Sequence, residues 1–316
     1  MIVMGRVFYS ALDGKYHKYQ GQPEHAKKFE GGVVTTTDIA DIEATVILDE
    51  VLGLARPQCR LRSICRPVRM DNLVQRVDLG TILSGQEKVP PLVEAELSSQ
   101  GYSDVDFALW KNVVHVAISD EAGMKAAHDI LGLHIQDAAA ELSRMENDQI
   151  ATEVETNVSE KVATSVYSDW GAVTSGVSDT NPLEAILTSA DYIMEQGYGQ
   201  RGFFMAAHPT IWHKFVLNSW IKELVEAKIL ILSDNGFKLP LYPPFRAVSD
   251  VALTAVPTGS VGPIIGADQS FGVLLGEGPT SAAKYRNEPS GYVAYIIRQW
   301  LQPKVTVDAA LDMICT

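Results

Sequence analysis

Residues 110–123 read Trp110-Lys-Asn-Val-Val-His-Val-Ala-Ile-Ser-Asp-Glu-Ala-Gly123, and this stretch decides the fold. Asn112–Ile118 has the β-branched content of a strand. Ser119 can then cap a helix, with Asp120 and Glu121 in the first turn where they complement the helix dipole. No proline follows before Val154, and only Gly123 and Gly132 weaken the run. Met124, Leu131, Ala138 and Met145 recur every seven residues, and Ile135 and Leu142 fill the positions between. A helix over Ser119–Val154, about 35 residues, would be roughly 50 Å long. The mean helix is about 11–12 residues. A coiled coil or bundle helix is the alternative, but this stripe carries alanine and histidine and does not recur in the chain.

The residues before this strand point the same way. Ser84-Gly85, Pro90-Pro91 and Gly101 punctuate residues 84–108. Leu92, Val93, Ala95 and Leu97, followed by Val105, Phe107 and Leu109, suggest a long hairpin with no clear core face. Such a hairpin is marginal alone and needs a neighbour to lie on. Further upstream, Leu61–Val68 and Leu73–Leu83 read as strands. Thr37 to about Leu54 reads as a helix with Ile39, Ile42, Val46 and Val51 on one stripe, stopped by Pro57. Residues 1–36, broken by Gly14, Gly21, Pro23, Gly31 and Gly32, read as an extended arm.

Downstream, a Thr/Ser-rich stretch (Thr156–Thr180) precedes a second region. Asn181-Pro182-Leu183-Glu184 is a helix start, with the helix running to about Gln196. Phe203–Ala206 is a short strand. Pro209 opens one helix carrying Trp212, Val216, Trp220 and Leu224. Strands follow at Ile229–Leu232, Phe237–Leu241, Phe245–Val248, Val261–Ala267, Phe271–Leu275, Tyr292–Leu301 and Val305–Val307. The class is α+β, without regular βαβ alternation and without internal repeats.

Composition narrows the function. Of 316 residues 46% are hydrophobic, enough for a sizeable core in one or two domains. The net charge is −13, from 26 basic and 39 acidic residues, which argues against a specific nucleic-acid binder. The one basic-rich stretch, Arg56, Arg60, Arg62, Arg66 and Arg69, reads as a solvated strand face or as intersubunit salt bridges, with nucleic-acid contact the minority reading. Three cysteines, Cys59, Cys65 and Cys315, do not make a disulfide scaffold or a zinc knuckle. Met1–Arg6 is too short for a signal peptide, and no apolar run approaches a membrane span. The expectation is a soluble protein made in the cytoplasm.

Candidate chemical motifs fail on their context. Gly197-Tyr-Gly199-Gln-Arg-Gly202 matches G-x-G-x-x-G, but a helix precedes it and a strand follows. That is the reverse of a dinucleotide site, so Gly197 reads as a helix C-terminal cap. His208 and His213, five apart, sit about 140° from each other on a helix and read as structural. His128 and His134 also fall on different faces. No Walker loop, nucleophile elbow or carboxylate pair is present, and the Asn157-Val-Ser159 sequon carries no weight in a cytoplasmic protein.

The order of these elements resembles the major capsid proteins of tailed phages and related archaeal viruses, the Hong Kong 97-type fold that encapsulin shells share. The resemblance covers about residues 37–314. Trp110–Gly123 looks like the strand that leads into the family's spine helix, residues 84–108 like its E-loop, and residues 1–36 like its N-arm. The glycine-tyrosine turn after helix 182–196, then Phe203-Phe-Met-Ala206, resembles the opening of the A-domain. Ile264-Ile-Gly266-Ala-Asp268 with Phe271 is similar to a glycine-aspartate-phenylalanine strand, although Ala267 intervenes. Gly291-Tyr-Val-Ala-Tyr-Ile-Ile-Arg298 and Lys304-Val-Thr-Val-Asp-Ala-Ala310 resemble the closing strands, with Leu311 where the family has an aromatic.

The resemblance implies a domain plan: N-terminal arm 1–36, P-domain 37–83, E-loop 84–108, P-domain 109–175 with spine helix 119–154, A-domain 176–275, return strands 276–303 and a final A-domain strand in 304–316. It also implies a structural protein with no catalytic, cofactor or metal site. Such a protein self-assembles into pentamers and hexamers of an icosahedral shell around viral double-stranded DNA, in the virion capsid assembled in the host cytoplasm. Its partners would be neighbouring copies, reached through N-arm and E-loop, and separate scaffolding, portal or decoration proteins. Lys88, Leu92, Val93, Phe107, Trp110, Arg60, Arg62 and Arg298 are the expected assembly contacts. Lys88 reads as solvated, and no cross-link is inferred for it. An encapsulin-type shell around a cargo enzyme, or a soluble α+β enzyme with a dispersed site, remains the alternative.

Overall fold

The computed structural model describes residues 2–4, 7–10, 15–18, 36–80, 102–120, 130–163, 166–171, 181–233, 235–268 and 272–316. The mixed α+β class holds across them. Within the N-terminal arm, β1 (Ile2–Met4), β2 (Val7–Ser10) and β3 (Lys15–Lys18) form an antiparallel meander, where the sequence suggested no regular element.

The first helix spans Thr36–Gln58 and passes through Pro57 instead of stopping before it. Proline removes one N–H, but the Cys59 N–H still reaches the carbonyls of Ala55 and Arg56 at 3.2 and 3.3 Å. In the last turn that loss is tolerated. A 3₁₀ turn, Leu61–Ile64, replaces the start of the expected strand, and β4 (Arg66–Arg69) follows it. β6 (Tyr102–Ala108) pairs with β5 (Val74–Gly80), in register Asp78↔Asp104 and Arg76↔Asp106. The other arm of the expected hairpin, residues 92–97, lies outside the described residues.

β7 (Trp110–Ser119) confirms the opening strand. The long helix is described over Ile130–Asn157, about 42 Å at 1.5 Å per residue. It ends three residues beyond Val154, and residues 121–129 of its expected start lie outside the described set. β7 is one edge of a four-stranded sheet ordered β4-β13-β14-β7, with β13 (Val273–Asn287) and β14 (Tyr292–Val305) as its long central pair. The first and long helices cover one face of it. Val51, Ala55, Ile135, Ala138, Ala139, Leu142 and Ile297 make that core, all at most 6% exposed. The two alanines let the helices approach closely.

The second body is a six-stranded sheet, ordered β15-β12-β8-β11-β10-β9. Its strands are β8 (Phe203–Ala207), β9 (Ile231–Ser233), β10 (Gly236–Lys238), β11 (Phe245–Ser249), β12 (Ile264–Ala267) and β15 (Leu311–Met313). All five residues of β8 are buried, so the sheet is covered on both sides. On one face lies an aromatic core with Trp170, Phe203, Phe215, Phe237 and Phe245, under helices Pro182–Glu195, Pro209–Leu217 and Ser219–Glu226. On the other, Phe204, Ala206, Ile264, Leu311 and Met313 pack against Ile150, Ala151 and Val154 of the long helix. One helix therefore carries both bodies.

Local capping sets the second region's helices. The Asn181 side chain accepts from the N–H groups of Leu183 and Glu184, with Pro182 in the first turn. At the far end Gly197 has φ +85°, its N–H bonds the Met194 carbonyl, and the Tyr198 N–H reaches Ile193. That Schellman arrangement bears out the C-cap reading over the dinucleotide one. The helix expected to run from Pro209 through Leu224 is instead two, broken at Asn218. Its side chain accepts from Trp220 and Ile221 and donates to the Trp170 carbonyl at 2.7 Å.

Candidate assembly surfaces

The arginine run of the sequence lies beside β4, an edge strand, and divides there. Arg62 turns inward: Nη1 is 2.7 Å from Glu146 Oε1, Nη2 pairs with Glu277, and the Glu146 side chain is only 3% exposed. Gln299 Nε2 donates to the other Glu146 oxygen at 3.3 Å. Arg62, one of the expected assembly contacts, thus has partners for its guanidinium within the chain. The network belongs to a polar belt on the long helix between its two apolar faces. There Asn112 and Gln149 exchange amide bonds of 3.3 and 2.8 Å, and Asn147 holds Asp250 at 3.0 Å.

Arg56, Arg62 and Arg69 line one cavity of about 490 Å³ together with Gln299 and Trp300. Arg66 joins Arg201, Arg246 and Asp268 around a second, of about 580 Å³, between the 3₁₀ turn and the six-stranded sheet. Arg60 is exposed and donates to the Ser249 carbonyl at 3.4 Å.

Phe107, another expected assembly contact, is fully buried under the hairpin with Met70 and Leu274. Trp110 is 45% exposed at the start of β7 and stays available at the surface. Arg298 is half-buried on the sheet face away from the helices, opposite Val113 and Ser281. Lys88, Leu92, Val93 and Phe271 lie outside the described residues.

One exposed apolar surface among the described residues was missed in the sequence. Val216, Leu217, Trp220, Ile229, Ile231 and Leu232 are each 39–59% exposed, on the two short helices, the turn after them and β9, the open edge of the six-stranded sheet. Val216 and Leu232 share a cavity of about 340 Å³ with Trp212, Phe215 and Phe237. The stripe Trp212, Val216, Trp220, Leu224 was legible as an apolar helix face, but periodicity does not say whether the same chain covers it. An apolar rim beside an open sheet edge is what a protein partner covers.

His208 caps its helix, accepting from the Thr210 N–H at 3.2 Å. Among the described residues no three His, Cys, Asp or Glu side chains converge to hold a metal, and no helix is long and apolar enough to cross a membrane. The three cysteines are free and buried. Burial pushes the Cys59 and Cys315 thiols up to about 11, and that of Cys65 higher still, away from thiolate chemistry.

No family model matches the chain, and no curated protein matches it by sequence. Solved structures do. A virus-like particle from Pyrococcus furiosus matches with TM-score 0.54 at 10% identity, over 86% of this chain and 99% of that one. The capsid of the cyanophage P-SCSP1u matches at TM-score 0.58 and 10% identity, over 80% and 86%. The capsid of a native GTA particle matches at TM-score 0.52 and 14% identity, over 82% and 90%. The likeness is one of fold: the chain has the Hong Kong 97-type capsid fold.

Proposed function

We propose that this chain is a major capsid protein, a structural subunit that self-assembles through copies of itself into an icosahedral shell. The observation that carries the reading is the extent of the fold match. It takes in 80–86% of this chain and 86–99% of three particle-forming subunits, so both bodies and the helix joining them are included. The surfaces agree with it. An apolar rim at the edge of one body and arginine-lined cavities beside the other need neighbours, and a shell supplies them. In this reading pentamers and hexamers enclose double-stranded DNA without reading its sequence, as a chain of net charge −13 would. In the same reading the E-loop-like residues 84–108 and the N-terminal arm 1–36 reach neighbouring copies and gain burial there. Scaffolding, portal or decoration proteins are separate chains, and the shell is the virion capsid, assembled in the host cytoplasm. The subunit has no catalytic role.

The alternative is a compartment shell around a protein cargo, because the fold sets the container and not its contents. Electron microscopy of the purified, expressed chain tests both: discrete shells or capsomer rings are expected, and a monodisperse monomer at every concentration would sink both readings. Nucleic acid inside native particles selects the first, packaged protein the second.

A further inference from the structure

The stretch Arg56-Pro-Gln-Cys-Arg-Leu-Arg-Ser-Ile-Cys-Arg-Pro-Val-Arg69 holds five arginines and neither a lysine nor an acid, in a chain of net charge −13. The fold turns Arg62 inward onto Glu146 and Glu277. Arg56, Arg60 and Arg69 stay exposed and make no ion pair among the described residues. Arg56 and Arg69 line the cavity of about 490 Å³, where Glu277 is taken up by Arg62 and Asp71 is the remaining acid. Arg60 precedes the 3₁₀ turn and donates to the Ser249 carbonyl at 3.4 Å. On the other side, Arg66 lines the second cavity with Arg201, which is exposed and makes no ion pair among the described residues.

Two local needs explain part of this charge. A charged, proline-bearing edge strand resists pairing with another chain, and a cation in the last turn suits the helix dipole. Those needs cover Arg66 and Arg69 on β4 and Arg56 at the helix end. They do not cover Arg60 or Arg201, and they do not call for arginine at every position. A guanidinium fork bonds phosphate oxygens at two points and is more weakly hydrated than an ammonium, so an all-arginine run favours phosphate. The layout favours a polymer over a single ion. The exposed arginines are strung along the helix end, the turn and β4. The four residues of β4 alone extend about 13 Å, over which duplex DNA presents about four phosphates per strand. Because the rest of the chain is acidic, a polyanion is steered to this strip and away from the other faces.

We infer that Arg56, Arg60, Arg69 and Arg201 form a strip that binds the phosphate backbone of nucleic acid, without regard to base sequence. In a shell this strip faces the lumen and touches the enclosed genome. That placement rests on the shell reading; the phosphate contact does not.

The contact is tested on the full chain below its assembly concentration, with a short labelled DNA duplex of mixed sequence followed by fluorescence anisotropy across a salt series. Four phosphate contacts give an expected log–log salt slope of about −3.6. Arg56→Gln/Arg69→Gln is expected to weaken binding about tenfold at low salt and to flatten the slope by about 2. Arg56→Lys/Arg69→Lys keeps both charges and is expected to keep the slope. The control Arg76→Gln/Arg144→Gln removes two exposed arginines that are already paired within the chain, and is expected to leave the slope unchanged. No duplex binding by the unaltered chain at low salt, or equal losses in the two glutamine pairs, would overturn the strip. So would unchanged duplex binding by Arg56→Gln/Arg69→Gln with loss of its assembly, because those arginines would then answer a neighbour's carboxylates. Closed empty shells that bind added duplex through these arginines would overturn the luminal placement. Duplex binding through the strip with no shells at any concentration would overturn the shell reading and leave the phosphate contact standing.

Discussion

The two bodies that share the long helix are held together by different physics. The six-stranded sheet closes over rings: Phe237 stacks on Phe245 at 4.7 Å, Phe203 on Phe245 at 5.1 Å, and Trp170 meets Phe215 edge-on at 6.3 Å. The four-stranded sheet closes over small and aliphatic side chains and then over the polar belt of Arg62, Glu146, Glu277, Gln299, Asn112 and Gln149. The first body is shaped by apolar volume, which tolerates few gaps but no particular partner. In the second, each group has a named partner, and removal of one strands the others. The belt also falls where the long helix passes from one core to the other. It therefore fixes the axial register of the two bodies, since a one-turn slide would leave every belt member unpaired.

Breaking the belt should have the largest effect. Arg62→Met leaves Glu146 buried without its cation, and a buried charge stripped of its partner costs about 3–5 kcal/mol. The urea midpoint of the isolated chain should fall accordingly. Replacing the partners too, as Arg62→Met/Glu146→Leu/Glu277→Leu/Gln299→Leu, should return most of that loss, because an apolar set of similar volume has no desolvation to repay. A quadruple variant as unstable as the single one would mean the belt acts through shape and not through charge.

The aromatic body has its own point of polar control, and the expected effect there is smaller. Asn218 ends one helix, starts the next and holds the Trp170 carbonyl through Nδ2. Asn218→Ala removes a cap worth about 1 kcal/mol and a buried hydrogen bond worth about as much again. A loss of about 2 kcal/mol in unfolding free energy is expected, with a changed near-ultraviolet circular dichroism signal from Trp170. An unchanged aromatic signal would remove Asn218 from the positioning of that ring.

Asn218 also shows where the sequence stopped being legible. Trp212, Val216, Trp220 and Leu224 keep an unbroken four-residue spacing across it, with no proline or glycine to mark the break. The break is imposed by a carbonyl 48 positions away. Local signals survived translation into structure: the Asn181-Pro182 start, the Gly197 cap, the strand over Trp110–Ser119 and the helix after it. Pairing was less legible: β6 finds β5 across more than twenty intervening residues, and nothing local to Tyr102–Ala108 names that partner. The assembly surfaces were half legible. The arginine run was visible, but its division into one buried network and two cavities depends on Arg201, Arg246 and Glu277, which are remote in the chain.

The smallest expected effect concerns Asp312, a fully buried acid of the aromatic body. Asp312 sits in β15 with no exposed surface, and its Oδ1 accepts from the Lys161 N–H at 2.6 Å. Burial lifts its carboxyl above the ordinary aspartate value, and the Lys161 N–H and nearby ammonium only partly oppose that lift. A carboxyl whose folded-state pKa exceeds its unfolded one, about 3.9, binds its proton more tightly in the folded chain. Its contribution to stability therefore improves as pH falls through the raised value and levels off below about 3.9; at neutral pH the ionised group works against the fold. Asp312→Asn keeps an oxygen to accept from Lys161 and carries no charge. Its unfolding midpoint at pH 7 should equal or exceed that of the unaltered chain, and the difference should shrink toward pH 4. A variant that is less stable by the same margin at both pH values would mean that the site requires the carboxyl's own hydrogen bonds. The aromatic body would then, like the belt, depend on a specific polar partner.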